Sequence, residues 1–201
     1  MRNITYIYII VLLLAVFAQS GCTKKTIEPS SVSSDSLRIS GNFGKTYFDF
    51  LIGDSAVRGT ASVVHIGDSI KKFVFTMTGS PDSTKKYCRI SVITNTKLGP
   101  TSIDSVFKEM GYNYFLDRNG LGTNTYPCVE LEWFDKGNVF STSMDAQKDV
   151  FTMFDIKNVS RLNATYKQVR FKTNCMVTDP SGLNSIFLYN IQGKIAFKDE
   201  R

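Results

Sequence analysis

Acid, base and metal chemistry draws on a small set of side chains, and in this chain of 201 residues that set is thin. His65 is the sole histidine, so a Ser-His-Asp triad, a Cys-His pair or a multi-histidine metal site would have to use it. It stands in Val63-Val64-His65-Ile66, a strand-like run where a half-buried, hydrogen-bonded imidazole is expected. Glu130 and Glu132 are two apart in Val129-Glu130-Leu131-Glu132-Trp133. On a strand both carboxylates leave the same face, with Cα atoms roughly 6–7 Å apart. Glycosidase carboxylates have a comparable separation, but they face each other across a cleft; strand neighbours point outward in parallel, so a solvated outer face is expected. Asp117-Arg118-Asn119-Gly120 holds only a fragment of a calcium loop and reads as a hairpin turn. Asn158-Val159-Ser160 and Asn163-Ala164-Thr165 match the glycosylation sequon. Neither a metal, nor a cofactor, nor catalysis is expected of this set.

The four cysteines include no Cys-x-x-Cys, which disfavours a zinc site further. Alternation places Cys88 with Ile90 and Val92, and Cys175 with Phe171 and Val177, on core-facing sides, whereas Cys128 shares the polar side of Glu130 and Glu132. If a bridge forms, it is expected between Cys88 and Cys175, with Cys128 the free thiol. Tyr112, Tyr114, Phe115, Tyr126, Trp133 and Phe134 fall near one another in sequence, and Tyr and Trp suit binding surfaces because a rigid ring offers area at low entropic cost. Trp133 alternates with Val129 and Leu131 and is expected in the core. Tyr112 and Tyr114 are the expected solvent-facing binding residues.

The elements that must position these side chains are strands. From Leu37 onward apolar residues recur with period two, broken by Gly, Pro, Asn and Asp every 8–12 residues, as in an antiparallel sandwich or barrel. Strands are predicted over 45–52, 60–66, 72–78, 87–94, 112–116, 126–134, 139–143, 150–156, 166–178 and 185–197. Gly67-Asp68, Ser80-Pro81-Asp82, Asp135-Lys136-Gly137-Asn138 and Asp179-Pro180-Ser181-Gly182 are turn chemistry between them. Ile103, Val106, Phe107 and Met110 recur at helical spacing instead, which predicts one short amphipathic helix over 102–110. A capping box from Thr101 to Asp104 would open it, Gly111 would close it, and its apolar face would cover an open end or edge of the sheet. The expected fold is thus mainly β: a single antiparallel β-sandwich or partly open barrel over 37–201.

The amino terminus has a different logic. Arg2 precedes an apolar run from Ile4 to Ala18, shorter than the roughly 20 residues a spanning helix needs, and Gln19-Ser20-Gly21-Cys22 follows. This stretch resembles the signal peptide and lipobox of bacterial lipoproteins, which implies removal of residues 1–21 and acylation of Cys22. Residues 22–36 then form the lipidated cysteine and a flexible Ser-rich tether reaching roughly 20 Å.

Losing Arg2 lowers the formal charge of +6 by one. The remaining Lys and Arg are scattered in pairs and form no stripe interleaved with aromatics, so nucleic acid is not an expected partner. Composition excludes wholesale disorder, with 42% apolar residues, 15 Phe and 9 Tyr. The lipobox, the run of strands and the closing Ile191-Gln192-Gly193-Lys194-Ile195-Ala196-Phe197 together resemble small Bacteroidota cell-envelope lipoproteins of uncharacterised function. That resemblance implies an anchor in the outer membrane. Thr23-Lys24-Lys25-Thr26 lacks the acidic residues that follow the cysteine in surface-exported members, which implies the periplasmic face. The expected role is a non-catalytic binding or accessory module for an envelope protein or glycan. A lipocalin-like β-barrel carrier of a small apolar ligand is the alternative.

Overall fold

Alternating residues bury one face of a strand and solvate the other, and in this chain they build eleven strands among the described residues. A computed structural model describes residues 37–51, 58–78, 86–114, 126–135, 137–144, 147–161 and 163–199. The strands are β1 (Arg38–Phe43), β2 (Thr46–Leu51), β3 (Arg58–Ile66), β4 (Ile70–Thr78), β5 (Tyr87–Asn95), β6 (Gly111–Tyr112), β7 (Cys128–Asp135), β8 (Asn138–Ser141), β9 (Phe151–Arg161), β10 (Ala164–Thr178) and β11 (Ser185–Lys198). A one-turn helix, α1 (Ile103–Val106), precedes β6, and a 3-10 turn (Thr142–Met144) follows β8. The expected leader, Cys22, the tether, the Ser80-Pro81-Asp82 turn, Phe115 and the Asp117 turn lie outside the described residues.

The strands pair in the order β2-β1-β11-β10-β8-β7-β5-β4-β3, with β9 also on β10 and β6 on β9. The path ends at β2 and β3, so the sheet is open and does not close into a barrel. All strand ladders are antiparallel; an isolated bridge from Tyr114 to Val129 is parallel. Between β10 and β8 the ladder is a single pair, Thr178 with Ser141. On one side of this seam lie β2, β1, β11, β10 and β9; on the other lie β8, β7, β5, β4 and β3.

The inner faces of the two halves meet as in a sandwich. Trp133 of β7 meets Phe43, Phe48 and Phe50 of β1 and β2, with centroids at 4.9, 4.4 and 5.7 Å. Phe75 of β4 meets Phe197 of β11 at 6.4 Å. Burying each such ring contributes about 1.5–3 kcal/mol before chain entropy is counted. Trp133 takes the core position that alternation assigns it, at 2% exposure.

Three local departures have physical reasons. First, β1 is not among the predicted strands, which begin at residue 45. Gly41 stands there for close approach: a Cβ would come to 3.0 Å from the Ile191 Cα and 3.2 Å from the Phe48 ring.

Second, the helix is one turn and not 102–110. Ser102 is its N-cap, with the Oγ accepting from Ser105 N at 3.2 Å, so the Thr101–Asp104 box does not form. Phe107 leaves helical geometry (φ −93°, ψ 99°), and its ring packs on Phe73 and Phe197, one from each half, at 5.3 and 4.6 Å. Covering the end of the sheet is therefore its role, as expected. Gly111 opens β6 instead of closing the helix, and a Cβ there would stand 2.8 Å from Val150 Cγ2.

Third, alternation with Val169 and Phe171 puts Gln168 on the polar side of β10, yet it is buried beside the register shift between β9 and β10.

Candidate binding face

Tyr112 and Tyr114, the expected binding residues, are core residues. They are 4% and 5% exposed. The Tyr112 hydroxyl donates to the Val106 carbonyl at 2.5 Å, fastening β6 to the end of α1. The Tyr114 hydroxyl pairs with Thr173 Oγ1 at 2.5 Å and its ring stands edge-on to Phe151 at 6.4 Å. Burial raises both phenols above their ordinary pKa, Tyr114 well above it. Two tyrosines at i and i+2 necessarily share a face. Pairing of β6 with β9, and the bridge from Tyr114 to Val129, turn that face inward.

Cys88, Cys128 and Cys175 are all free and all buried. Cys88 of β5 and Cys175 of β10 enter the interior from opposite halves, as alternation requires, but they are not bridged. Cys128 departs from the expectation of a thiol on the polar side: it is fully buried, with Sγ 3.9 Å from the Ile93 carbonyl oxygen. Burial pushes the Cys128 and Cys175 thiols up to about 12, and Cys88 higher still. Thiolate is thus scarce at neutral pH, and none of the three is an activated nucleophile. In the Cys22→Ser protein, a thiol reagent at pH 8 is expected to find almost no reactive sulfur until the chain is unfolded in guanidinium, and then three. A count of one after unfolding without reductant would show that two of the three had bridged, and peptide mapping would then say which pair.

Glu130 and Glu132 lie on the outer face of β7, as expected, and each has a cation, Glu130 from Lys72 of β4, two strands away, and Glu132 from Arg89 of the adjacent β5. Lys72 Nζ is 3.0 Å from Glu130 and Arg89 Nη1 is 2.6 Å from Glu132, while Arg89 also packs over the Tyr87 ring at 5.1 Å. Carboxylates held this way are cross-strand ion pairs. His65 is exposed on β3 opposite Lys71, not half-buried. Among the described residues no three His, Cys, Asp or Glu side chains converge as metal ligands do.

The exposed aromatics are elsewhere, on the outer face of β2, β1, β11 and β10. Tyr47 is 61% and Phe187 46% exposed, and Tyr189 is half-buried. Register places Tyr47 and Tyr189 on either side of Asn42 in one cross-strand row. In the next row Phe187 faces Met176, and the Phe187 and Tyr189 rings lie near parallel, centroids 6.3 Å apart. Arg38, in a double ion pair with Asp49 (2.8 and 2.5 Å), also reaches the Tyr47 hydroxyl.

A groove of about 590 Å³ indents the same face, lined by Asp149, Val150, Thr152, Lys172, Thr173, Asn174, Asn190, Ile191 and Gln192. Irregular register makes it. The β10–β11 ladder skips between Thr173 and Cys175, the β1–β11 ladder shifts between Ser40 and Asn42, and Asn190 takes a left-handed φ of 53° in the resulting bulge. Asn174 holds the bulge together: its Oδ1 accepts from Asn190 N at 2.9 Å and its Nδ2 donates to Asp149 at 3.1 Å.

A second depression, about 530 Å³, lies at the β10–β11 turn beside Asp179 and Leu183. There the Asn184 and Ser181 side chains donate to the Asp179 carboxylate and hold its pKa at about 2.

The exposed rings are legible in the sequence. With Leu188 inside, Phe187 and Tyr189 must point out; with Phe48 and Phe50 inside, so must Tyr47. No family model, curated protein or solved structure matches this chain.

Proposed function

We propose that this protein is a non-catalytic binding module of the cell envelope, held on the outer membrane through an acylated Cys22, that engages its partner with the outer face of β2, β1, β11 and β10. The observation that carries the reading is the pairing of the exposed Tyr47 and Phe187 rings and the half-buried Tyr189 ring with a groove of mixed polar and apolar lining on one face. Exposed apolar groups rimmed by polar residues mark interaction surfaces. The anchor rests on the apolar run and Ser20-Gly21-Cys22; two or three acyl chains hold a protein on a bilayer stably where one does not. Among the described residues no helix is long and apolar enough to span a membrane. A lipocalin-like carrier needs a closed barrel around an empty apolar chamber. An open sheet packed with rings from both halves speaks against it.

Site-specific photocrosslinking in intact cells tests the face. A photoreactive residue at 47, 187 or 189 is expected to give adducts, and one at Val74, on the outer face of β4, is expected to give none. Absence of adducts at all three positions, or equal labelling at Val74, would remove the face from consideration.

A further inference from the structure

From the chemistry of the groove we infer that the partner is a glycan: a linear oligosaccharide laid across β11, β10 and β9, with a sugar ring stacked on Tyr189. The inference rests on the binding face proposed above and names what that face takes.

Gln192, Lys172 and Thr152 form one cross-strand row, each directly paired with the next. Strands lie about 4.8 Å apart, so this row presents a carboxamide, an ammonium and a hydroxyl at regular intervals. Asn190 adds a second carboxamide from the bulge. All four line the groove, and none has a side-chain hydrogen bond to another described residue. By contrast, Asn174 and Asp149 are engaged in holding the bulge, while the row above them is open to a ligand.

Charge favours the same class. Asp149 and Lys172 are the charged groups of the lining, one of each sign, so no strong field selects a phosphate or a polyanion. A sugar has two kinds of surface, a ring of hydroxyls that both donate and accept and a face of C–H bonds. Carboxamides match the first because they too donate and accept, and the flank of an aromatic ring matches the second. Tyr189, three residues before Gln192 on the same strand and on the same outer face, supplies that flank. A peptide strand would instead need an unpaired backbone edge, and β11 and β10 are paired on both sides.

The test uses the full chain carrying Cys22→Ser, titrated with cellohexaose, maltohexaose, chitohexaose and an oligogalacturonate and followed by amide chemical-shift changes. At least one of the four is expected to bind with shifts centred on residues 172–174 and 189–192. Tyr189→Ala and Gln192→Ala are each expected to weaken it about tenfold, and Lys172→Ala, at the centre of the row, is expected to weaken it as well. Both variants alter exposed or half-exposed side chains, and an unchanged melting temperature verifies that they fold. No binding by any of the four, or binding indifferent to both Tyr189→Ala and Gln192→Ala, overturns the glycan. If the glycans fail while protease-sensitive photoadducts form at 47, 187 and 189, the partner is a protein: the face stands and this inference falls.

Discussion

Replacing Tyr112 and Tyr114 together by Ala is expected to leave the domain unfolded at room temperature. Truncating a buried large aromatic costs about 3–5 kcal/mol through lost transfer energy and the cavity left behind. Each of these rings also carries a buried hydroxyl bond, Tyr112 to Val106 and Tyr114 to Thr173; loss of the first leaves the Val106 carbonyl short of a donor, whereas Thr173 Oγ1 still donates to the Val150 carbonyl at 3.2 Å. Two such losses, at neighbouring positions in one segment, approach the whole stability of a domain this size, about 5–15 kcal/mol. Far-UV circular dichroism and thermal melts can measure it. The Tyr112→Phe, Tyr114→Phe pair removes the hydroxyls alone and should stay folded, weaker by about 1–3 kcal/mol per bond. A double-Ala protein that melted within a few degrees of wild type would contradict the burial of both rings.

Trp133→Ala should be the most damaging single truncation at the meeting of the two halves. Its indole touches three phenylalanines from the opposite half, so the cavity would open at the interface and not within one sheet. About 3–5 kcal/mol is expected, or a fall in melting temperature of roughly 6–20 °C at 2–4 °C per kcal/mol. Trp133→Phe should cost much less than its lost area implies, because the buried Nε1 has no hydrogen-bond partner and phenylalanine removes that unsatisfied donor. Trp133 is the only tryptophan in the chain, so its wild-type fluorescence reports the closing of the halves directly. An Ala variant with an unchanged melting temperature would mean that β1 and β2 do not depend on this contact.

Period-two patterning was a good guide wherever a strand has one wet face. It placed Trp133, Val169, Phe171, Cys175 and Val177 inside and Glu130 and Glu132 outside. It was a poor guide where tertiary contacts decide. β1 escaped because Gly41 satisfies a close approach to Ile191 that only the folded chain reveals. The helix was read too long because Phe107 serves the contact with Phe73 and Phe197 better outside helical geometry. Cys128 was misassigned because an outward position on a central strand is still fully buried. The proposed face is hard to read from sequence for a different reason: Tyr112 and Tyr114 are close in sequence, whereas Tyr47, Phe187 and Tyr189 come together only through the pairing of the first two strands with the last.

That pairing also bears on when the molecule can fold. β11 runs between β1 and β10 and brings Leu188, Ile191, Ile195 and Phe197 to the core, yet every other strand precedes it in the chain. As the polypeptide is made, β3, β4 and β5 can join through consecutive hairpins, and β7 and β8 can follow. β1 has to wait through most of synthesis for its central neighbour, and such long loop closure makes assembly slow. Until the final strand is free, the inner face of the β3–β5 half lacks its cover and the sandwich stays unclosed. A nascent chain of this design reaches its closed sandwich only once β11 has been made.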